Sequence, residues 1–311
     1  MCVIVLGSIN MDLVARVKKS PVAGETVTGE SFCTTPGGKG ANQAVACSLA
    51  GADVRFIGRV GDDSFADGLI DALRTAGIDT ATVIRTPGTS SGVAPIIITE
   101  DSQNRIIVIP GANAAFDSQD IDNLNRVLPQ ASSVLLQLEI PMRINVTAAA
   151  LAHGAGTRVI LDPAPAAAVT DELLRNVDII TPNQSETHTL TGIDIDGPDS
   201  AARAIKILNG CGVATPIIKM GLQGICWLES GEIRHQPAFR VKAIDTVAAG
   251  DAFNGGLAAA LDKGASLSDA VAFAQATAAI CVTRRGAQQA MGRKDEIENL
   301  LAENGYSLLV K

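Results

Sequence analysis

Aromatic side chains are scarce: they make up 3% of the 311 residues, although 47% of the chain is hydrophobic. The core must therefore be built mostly from Ala, Val, Ile and Leu, which suits Ala- and Gly-rich helices lying close on a sheet. Basic clusters are also missing. The net charge is −8 and no run of Lys or Arg exceeds two residues, which argues against a surface for nucleic acid or acidic membranes. The six cysteines (Cys2, Cys33, Cys47, Cys211, Cys226 and Cys281) form no CxxC pair and have no His beside them at metal-ligand spacing. They are expected to be reduced thiols rather than disulfides or zinc ligands. No apolar run reaches the ~20 residues of a membrane span. The five-residue run from Cys2 to Leu6 is too short for a signal peptide and reads as a β-strand. The expectation is a cytoplasmic protein with one α/β domain covering 1–311, large enough to bury a sizeable core.

Apolar runs and helical stripes alternate along the chain. Strands are expected at 3–7, 54–58, 133–139, 158–162, 177–181 and 215–220, and helices at 41–51, 64–76, 118–128, 144–153, 201–208 and 267–283. This alternation predicts a doubly wound, mostly parallel sheet with helices on both faces. The runs 224–228 and 234–239 read as an antiparallel edge. Two further β segments interrupt the pattern, at about 13–36 and 91–110, the second a hairpin about the turn Glu100–Asn104. They predict a small β-sheet lid over a pocket, with a free face for a second subunit.

One stretch organises the rest: Asp245-Thr246-Val247-Ala248-Ala249-Gly250-Asp251-Ala252-Phe253-Asn254-Gly255-Gly256. It reads as a strand over 239–244, a small-residue turn, then a helix. Such a turn leaves backbone N–H groups unpaired where the helix dipole favours an anion. Asp251 sits in the first turn, where it can cap the helix or serve the anion's chemistry. A second glycine-rich turn, Pro36-Gly37-Gly38-Lys39-Gly40-Ala41-Asn42-Gln43, also feeds a helix. It is not a P-loop, because Cys33 occupies the first Gly position and Gly40 follows Lys39 where Ser/Thr is needed. Nor is it GxGxxG, since Gln43 fills the last Gly position. Lys39 and Asn42, three apart, point from one helix face toward a common ligand or simply accompany helix entry. Asn10, Asp12, Glu139, Asn183, Glu186, Lys219 and 245–251 all follow strand-like runs. In an open α/β sheet those ends share one edge and converge on one cleft.

The two glycine-rich stretches, in this order and at this separation, resemble the paired signatures of the ribokinase-type (pfkB) sugar kinase family. The resemblance runs over nearly the whole chain and includes Gly7-Ser8-Ile9-Asn10-Met11-Asp12, Gly24-Glu25-Thr26-Val27, Gly111-Ala112-Asn113 and Thr181-Pro182-Asn183. It implies ATP-dependent phosphorylation of a sugar, with Asp251 as the general base on the 5-hydroxyl. The N–H groups of Ala248, Ala249 and Gly250 would form the anion hole for the γ-phosphate. Asn10, Asp12, Gly38, Lys39, Asn42 and Glu139 would hold the sugar. Asn183 and Glu186, an NxxE pair, would govern magnesium and phosphate placement, and Lys219, Gly221, Gly224 and Gln275 would lie on the nucleotide side. The resemblance also implies an activating potassium ion near Asp245, the Val247 carbonyl and the carbonyls of Cys281, Arg284 and Gly286. Ala290 stands where Ser is common, so a water would replace one potassium ligand there. Pairing of two subunits through the lid would give a homodimer.

The sugar is less narrowly implied than the chemistry. Ser90-Ser91-Gly92-Val93-Ala94-Pro95-Ile96 resembles the family's deoxyribokinases, but Asn10 stands where a contact to a 2-hydroxyl is expected. A site built to hydrogen-bond a hydroxyl rejects the analogue lacking it, so D-ribose is expected over 2-deoxyribose. A non-catalytic sugar or nucleotide sensor on the same fold would have lost the base or the anion hole, and neither is lost.

Overall fold

The computed structural model describes residues 1–100 and 104–306. Its strands are β1 (Cys2–Leu6), β2 (Asn10–Val17), β3 (Ser31–Gly37), β4 (Val54–Val60), β5 (Asp79–Arg85), β6 (Gly92–Thr99), β7 (Asn104–Ile106), β8 (Ala131–Gln137), β9 (Arg158–Asp162), β10 (Ile179–Ile180), β11 (Thr215–Lys219), β12 (Ile225–Glu229) and β13 (Glu232–Gln236). Nine of them form one sheet in the order β13-β12-β11-β10-β9-β8-β1-β4-β5. Its pairs are parallel from β5 through to β11, and β12 and β13 add antiparallel at one edge. The expected doubly wound, mostly parallel sheet is therefore present.

Strand β1 shows why it is central. Val3 and Val5 pack into the core on one face, while Cys2, Ile4 and Leu6 pack into the core on the other. A strand buried on both faces needs an unbroken apolar run rather than an alternating one. On the first face the helices Lys39–Leu49, Ala249–Asp262 and Leu267–Cys281 stack together. Their contacts are close because side chains are small. A Cβ at Gly255 would collide with Ala46 and the Cys47 backbone, and one at Gly256 would collide with Thr277.

The remaining strands form a second sheet, β3-β2-β6-β7. It is mixed: β2 pairs parallel with β6, and β3 and β7 pair antiparallel on the outside. The expected hairpin is present as the β6–β7 pair, with Ile96 opposite Ile106. Asp101, Ser102 and Gln103 of its turn lie outside the described residues. No strand covers 18–30, so the β segment expected over 13–36 is interrupted between β2 and β3.

One other expectation fails for a physical reason, and one strand was not expected at all. The apolar alternation over 239–244 forms no strand. The N–H groups of Ile244 and Asp245 donate to the carbonyl of Val282, at the end of a helix, so the segment has no strand partner. Strand β5 was hidden because two of its inward positions are Thr80 and Thr82, which are buried although polar. No helix among the described residues is long and apolar enough to cross a membrane.

Candidate active site

Ala248 opens the helix Ala249–Asp262 with φ of 58°, a left-handed conformation that costs free energy in a non-glycine residue. This turn faces the first helical N–H groups outward. Those of Gly250 and Asp251 have no backbone partner among the described residues, and they point where an anion is favoured. Among the described residues no N–H of this helix donates to the Asp251 carboxylate. It accepts instead from Asn42 Nδ2 at 3.0 Å and from Gln43 Nε2 at 3.1 Å. The capping alternative for Asp251 is thereby excluded. At 5% exposure, burial pushes its carboxyl up to about 6, with Lys39 pulling down, Asp162 pushing up, and the two amides pulling down.

Lys39 and Asn42 do share a helix face, and both act at Asp251. Burial works against the Lys39 charge, but Asp251, Asp162, Glu139 and Glu186 outweigh it and hold the ammonium above its ordinary range. Asn42 Oδ1 is buried and has no partner among the described residues. An acceptor left this way beside a carboxylate suits the hydroxyl of a ligand.

The polar residues near β1 and the small sheet form one wall. Asn10 and Asp12 follow the end of β1, as expected, and there lie on β2 of the small sheet. Asn10 Oδ1 accepts from Asn113 Nδ2 at 2.8 Å. Asp12 is raised to about 7, by burial first and then by Glu139 and Asp251. Glu139 Oε2 accepts from Ser8 Oγ at 2.6 Å and from the Lys39 N–H, beside Gly38, at 3.1 Å.

On the other side opens a cleft of about 690 Å³. Lys39, Asp251 and the turn Ala248–Gly250 meet there with Asp162, Asn183, Glu186, Lys219, Gly221 and Gln275. Phe239, Val241, Ala278, Ala279 and Val282 give part of it an apolar lining. Lys219 Nζ reaches Asp162 Oδ1 at 3.0 Å. Asn183 caps the helix Gln184–Thr191, and Glu186 returns the bond in a capping box. Burial raises the Glu186 carboxyl, with Lys219 opposing and Asp162 reinforcing. Gln275 accepts from Gln236 at 2.6 Å. Gly224 does not line the cleft; it turns the chain, its carbonyl accepting from Met220 at 2.8 Å.

A third group lies behind the turn. Asp245 accepts from Val247 N–H and from Gly286 N–H, each at 3.0 Å, and so ties the turn to the loop after the helix Leu267–Cys281. Cys281 Sγ donates to the Val247 carbonyl at 3.6 Å. The Arg284 side chain is engaged with Glu296, and Ala290 is fully buried.

Four residues of the site escaped the sequence reading. Gln43 and Asp162 flank Asp251, Ser8 holds Glu139, and Asn113 holds Asn10. Asp162 was within reach of the strand-end rule, since it closes β9. Gln43 lies one residue past Asn42 on a face whose neighbours drew attention first.

Fold and cleft together define the class: an α/β small-molecule enzyme with its site at the carboxyl edge of a parallel sheet. The chain belongs to the pfkB family of carbohydrate kinases, whose profile matches residues 2–293. It is 40% identical over 292 residues to a ribokinase of Haemophilus influenzae, covering 94% of this chain and 95% of that one. It is 36% identical over 305 residues to a deoxyribokinase of Salmonella typhimurium, covering 98% of this chain and 100% of that one. Among solved structures, an Arabidopsis thaliana ribokinase complexed with ribose and ATP superposes with a TM-score of 0.92 at 32% identity, covering 98% of this chain and 99% of that one. The protein is an ATP-dependent sugar kinase.

Proposed function

We propose that the enzyme transfers the γ-phosphoryl group of ATP to the 5-hydroxyl of D-ribose, giving D-ribose 5-phosphate and ADP. The observation that carries this reading is the placement of Asp251. It is buried at a helix N-terminus, between the polar wall of Asp12 and Glu139 and the large cleft, with its carboxylate held by Asn42 and Gln43. Asp251 takes the hydroxyl proton as the O5–phosphorus bond forms and the bond to the ADP oxygen breaks. The N–H groups of Ala248, Ala249 and Gly250 receive the charge on the transferred group, that of Ala249 turning from the Thr246 carbonyl to which it donates at 3.3 Å. The apolar and lid surfaces exclude water, so that the sugar rather than water accepts the phosphoryl group.

Asn10, Asp12, Gly38, Lys39, Asn42 and Glu139 hold the sugar in this reading, and Lys219, Gly221 and Gln275 serve the nucleotide side. The described residues contain no cluster of three or more His, Cys, Asp or Glu side chains able to hold a metal alone. That fits magnesium arriving on the nucleotide phosphates, which need only one or two carboxylates. Asn183 and Glu186 would hold it, and it would neutralise phosphate charge. The donors around Asp245 fit a monovalent ion in the same way, because Asp245 gathers the Val247 and Gly286 backbone into one place. The carbonyls of Val247, Cys281, Arg284 and Gly286 would hold potassium, with a water in place of a side chain at Ala290.

D-Ribose is favoured over 2-deoxyribose by the Asn10 amide. The deoxyribokinase-like segment argues less, since Ser91 is occupied with Asp63 and Gly61 rather than with the cleft. Comparing kcat/KM for the two sugars tests this; a clear preference for 2-deoxyribose overturns it. A second copy of the chain is the proposed partner of the lid, whose Phe32 and Ile107 are 67% and 62% exposed. Light scattering on the wild type and on Ile107→Lys tests that pairing.

A further inference from the structure

We propose that Gln43, locked by Gln137, is a positioning residue that aims the Asp251 carboxylate and separates it from Asp162. This rests on Asp251 being the base. The argument is one of donors and acceptors. Gln43 Nε2 carries two N–H bonds, and it donates to Oδ1 of Asp251 at 3.1 Å and to Oδ2 of Asp162 at 2.9 Å. Turning the amide over would set its oxygen against two carboxylates, so this end is the nitrogen. The other end, Oε1, accepts from Gln137 Nε2 at 2.8 Å. Gln137 thus removes the freedom Gln43 would otherwise have to turn over.

The remaining carboxylate oxygens are also taken: Oδ2 of Asp251 by Asn42 and Oδ1 of Asp162 by Lys219. Each acid is therefore held from two sides, with Gln43 as the shared side. All four members, Gln43, Gln137, Asp162 and Asp251, are buried. Gln137 keeps this place although its own Oε1 is buried without a partner among the described residues, a cost in stability. An apolar residue at the end of β8 would avoid that cost but would leave Gln43 unlocked.

Two variants of the full chain test the proposal, assayed with D-ribose and magnesium ATP. Gln43→Met keeps the side-chain volume and removes both donors. The other groups facing Asp251 (Lys39, Asp162, Asp12, Cys281 and Asn42) stay in place. The expected loss in kcat is about 10- to 100-fold, as for partners that orient a reacting group, with the ribose KM little changed. The acid limb of kcat/KM should also move to higher pH, because the ionised base has lost a donor. A purely structural role would lower the melting temperature and leave that limb where it was. Gln137→Met, two steps from the base, should shift the limb in the same direction by less, and it decides the matter if Gln43→Met does not fold. A folded variant with unchanged kcat and an unmoved limb overturns the proposal. Failure of the wild type to phosphorylate ribose, or full activity of Asp251→Asn, instead removes the base assignment and this inference with it.

Discussion

Asn113 Nδ2 donates to Oδ1 of Asn10 at 2.8 Å, while Asn113 itself is pinned at both ends by the backbone of Ile9. The Ile9 N–H can only donate, so the atom of Asn113 that receives it is the oxygen. The Asn113 nitrogen must then meet an oxygen on Asn10, which leaves the Asn10 nitrogen as the donor of that amide. Gly92 makes room for this, since a Cβ there would strike both amides. Asn10→Leu is expected to lower the preference for ribose over 2-deoxyribose by roughly 10-fold, the worth of a hydrogen bond of about 1–2 kcal/mol. Asn113→Leu should lower it too, by freeing Asn10 to rotate. Paired kcat/KM measurements check this, and an unaltered ratio in both variants would sink the role of Asn10.

Asp251 titrates in a range that the assay can reach. Burial raises its carboxyl to about 6, and only the ionised form accepts a proton. Activity should therefore be low under acid conditions, rise through about pH 6 and level off above it. Asp251→Asn should lose about 10²- to 10⁴-fold in kcat, the usual worth of a general base. A pH–rate profile that stays flat through this range would contradict the assignment.

Away from the site, one buried charge pair anchors the helix Ser118–Val127. Arg59 Nε reaches Asp120 at 2.8 Å and its Nη2 reaches Asp117 at 2.7 Å, with Arg59 4% and Asp120 0% exposed. Asp117 and Asp120 also form that helix's capping box. Arg59→Met would leave Asp120 as an unpaired buried charge, at a cost of about 3–5 kcal/mol. Adding Asp120→Asn should recover part of the loss. Denaturant unfolding measures both, and a loss under about 1 kcal/mol for Arg59→Met would contradict the account.

The layout of the main sheet was legible because β1, β4, β8, β9 and β11 are apolar runs separated by helical stripes, a pattern that burial on both faces dictates. The residues gathered at its edge were legible for the same reason: strand-end polar groups in such a sheet have one direction in which to converge. Where the sequence misled, a local pattern had more than one cause. The run 239–244 reads as a strand but has no strand beside it: at its end the Ile244 N–H finds the Val282 carbonyl. β5 alternates through Thr80 and Thr82, whose polarity disguises inward positions. Gln43, Gln137 and Asn113 remained hidden because an amide's role depends on which partner fixes its orientation, and those partners lie 94 to 208 residues away in the chain.

Asp12 links the site to stability. Its carboxyl is raised from 3.8 to about 7, by burial and then by Glu139 and Asp251. A carboxyl raised on folding costs the folded state nothing below pH 3.8, where both states are protonated; the cost grows as pH rises from there and is complete above about 7. Asp12→Asn removes the charge and keeps the shape. The variant should melt at a higher temperature than the wild type above that pH, by about 2–4 °C for each kcal/mol of repulsion relieved. Below about pH 3.8, where Asp12 is neutral in the folded and the unfolded chain alike, the two should melt together. Sugar phosphorylation should fall in the same variant, because a group placed for ligand binding is not placed for stability. Calorimetry on both sides of the transition decides it: equal melting temperatures above the transition would mean that Asp12 is not held against its charge.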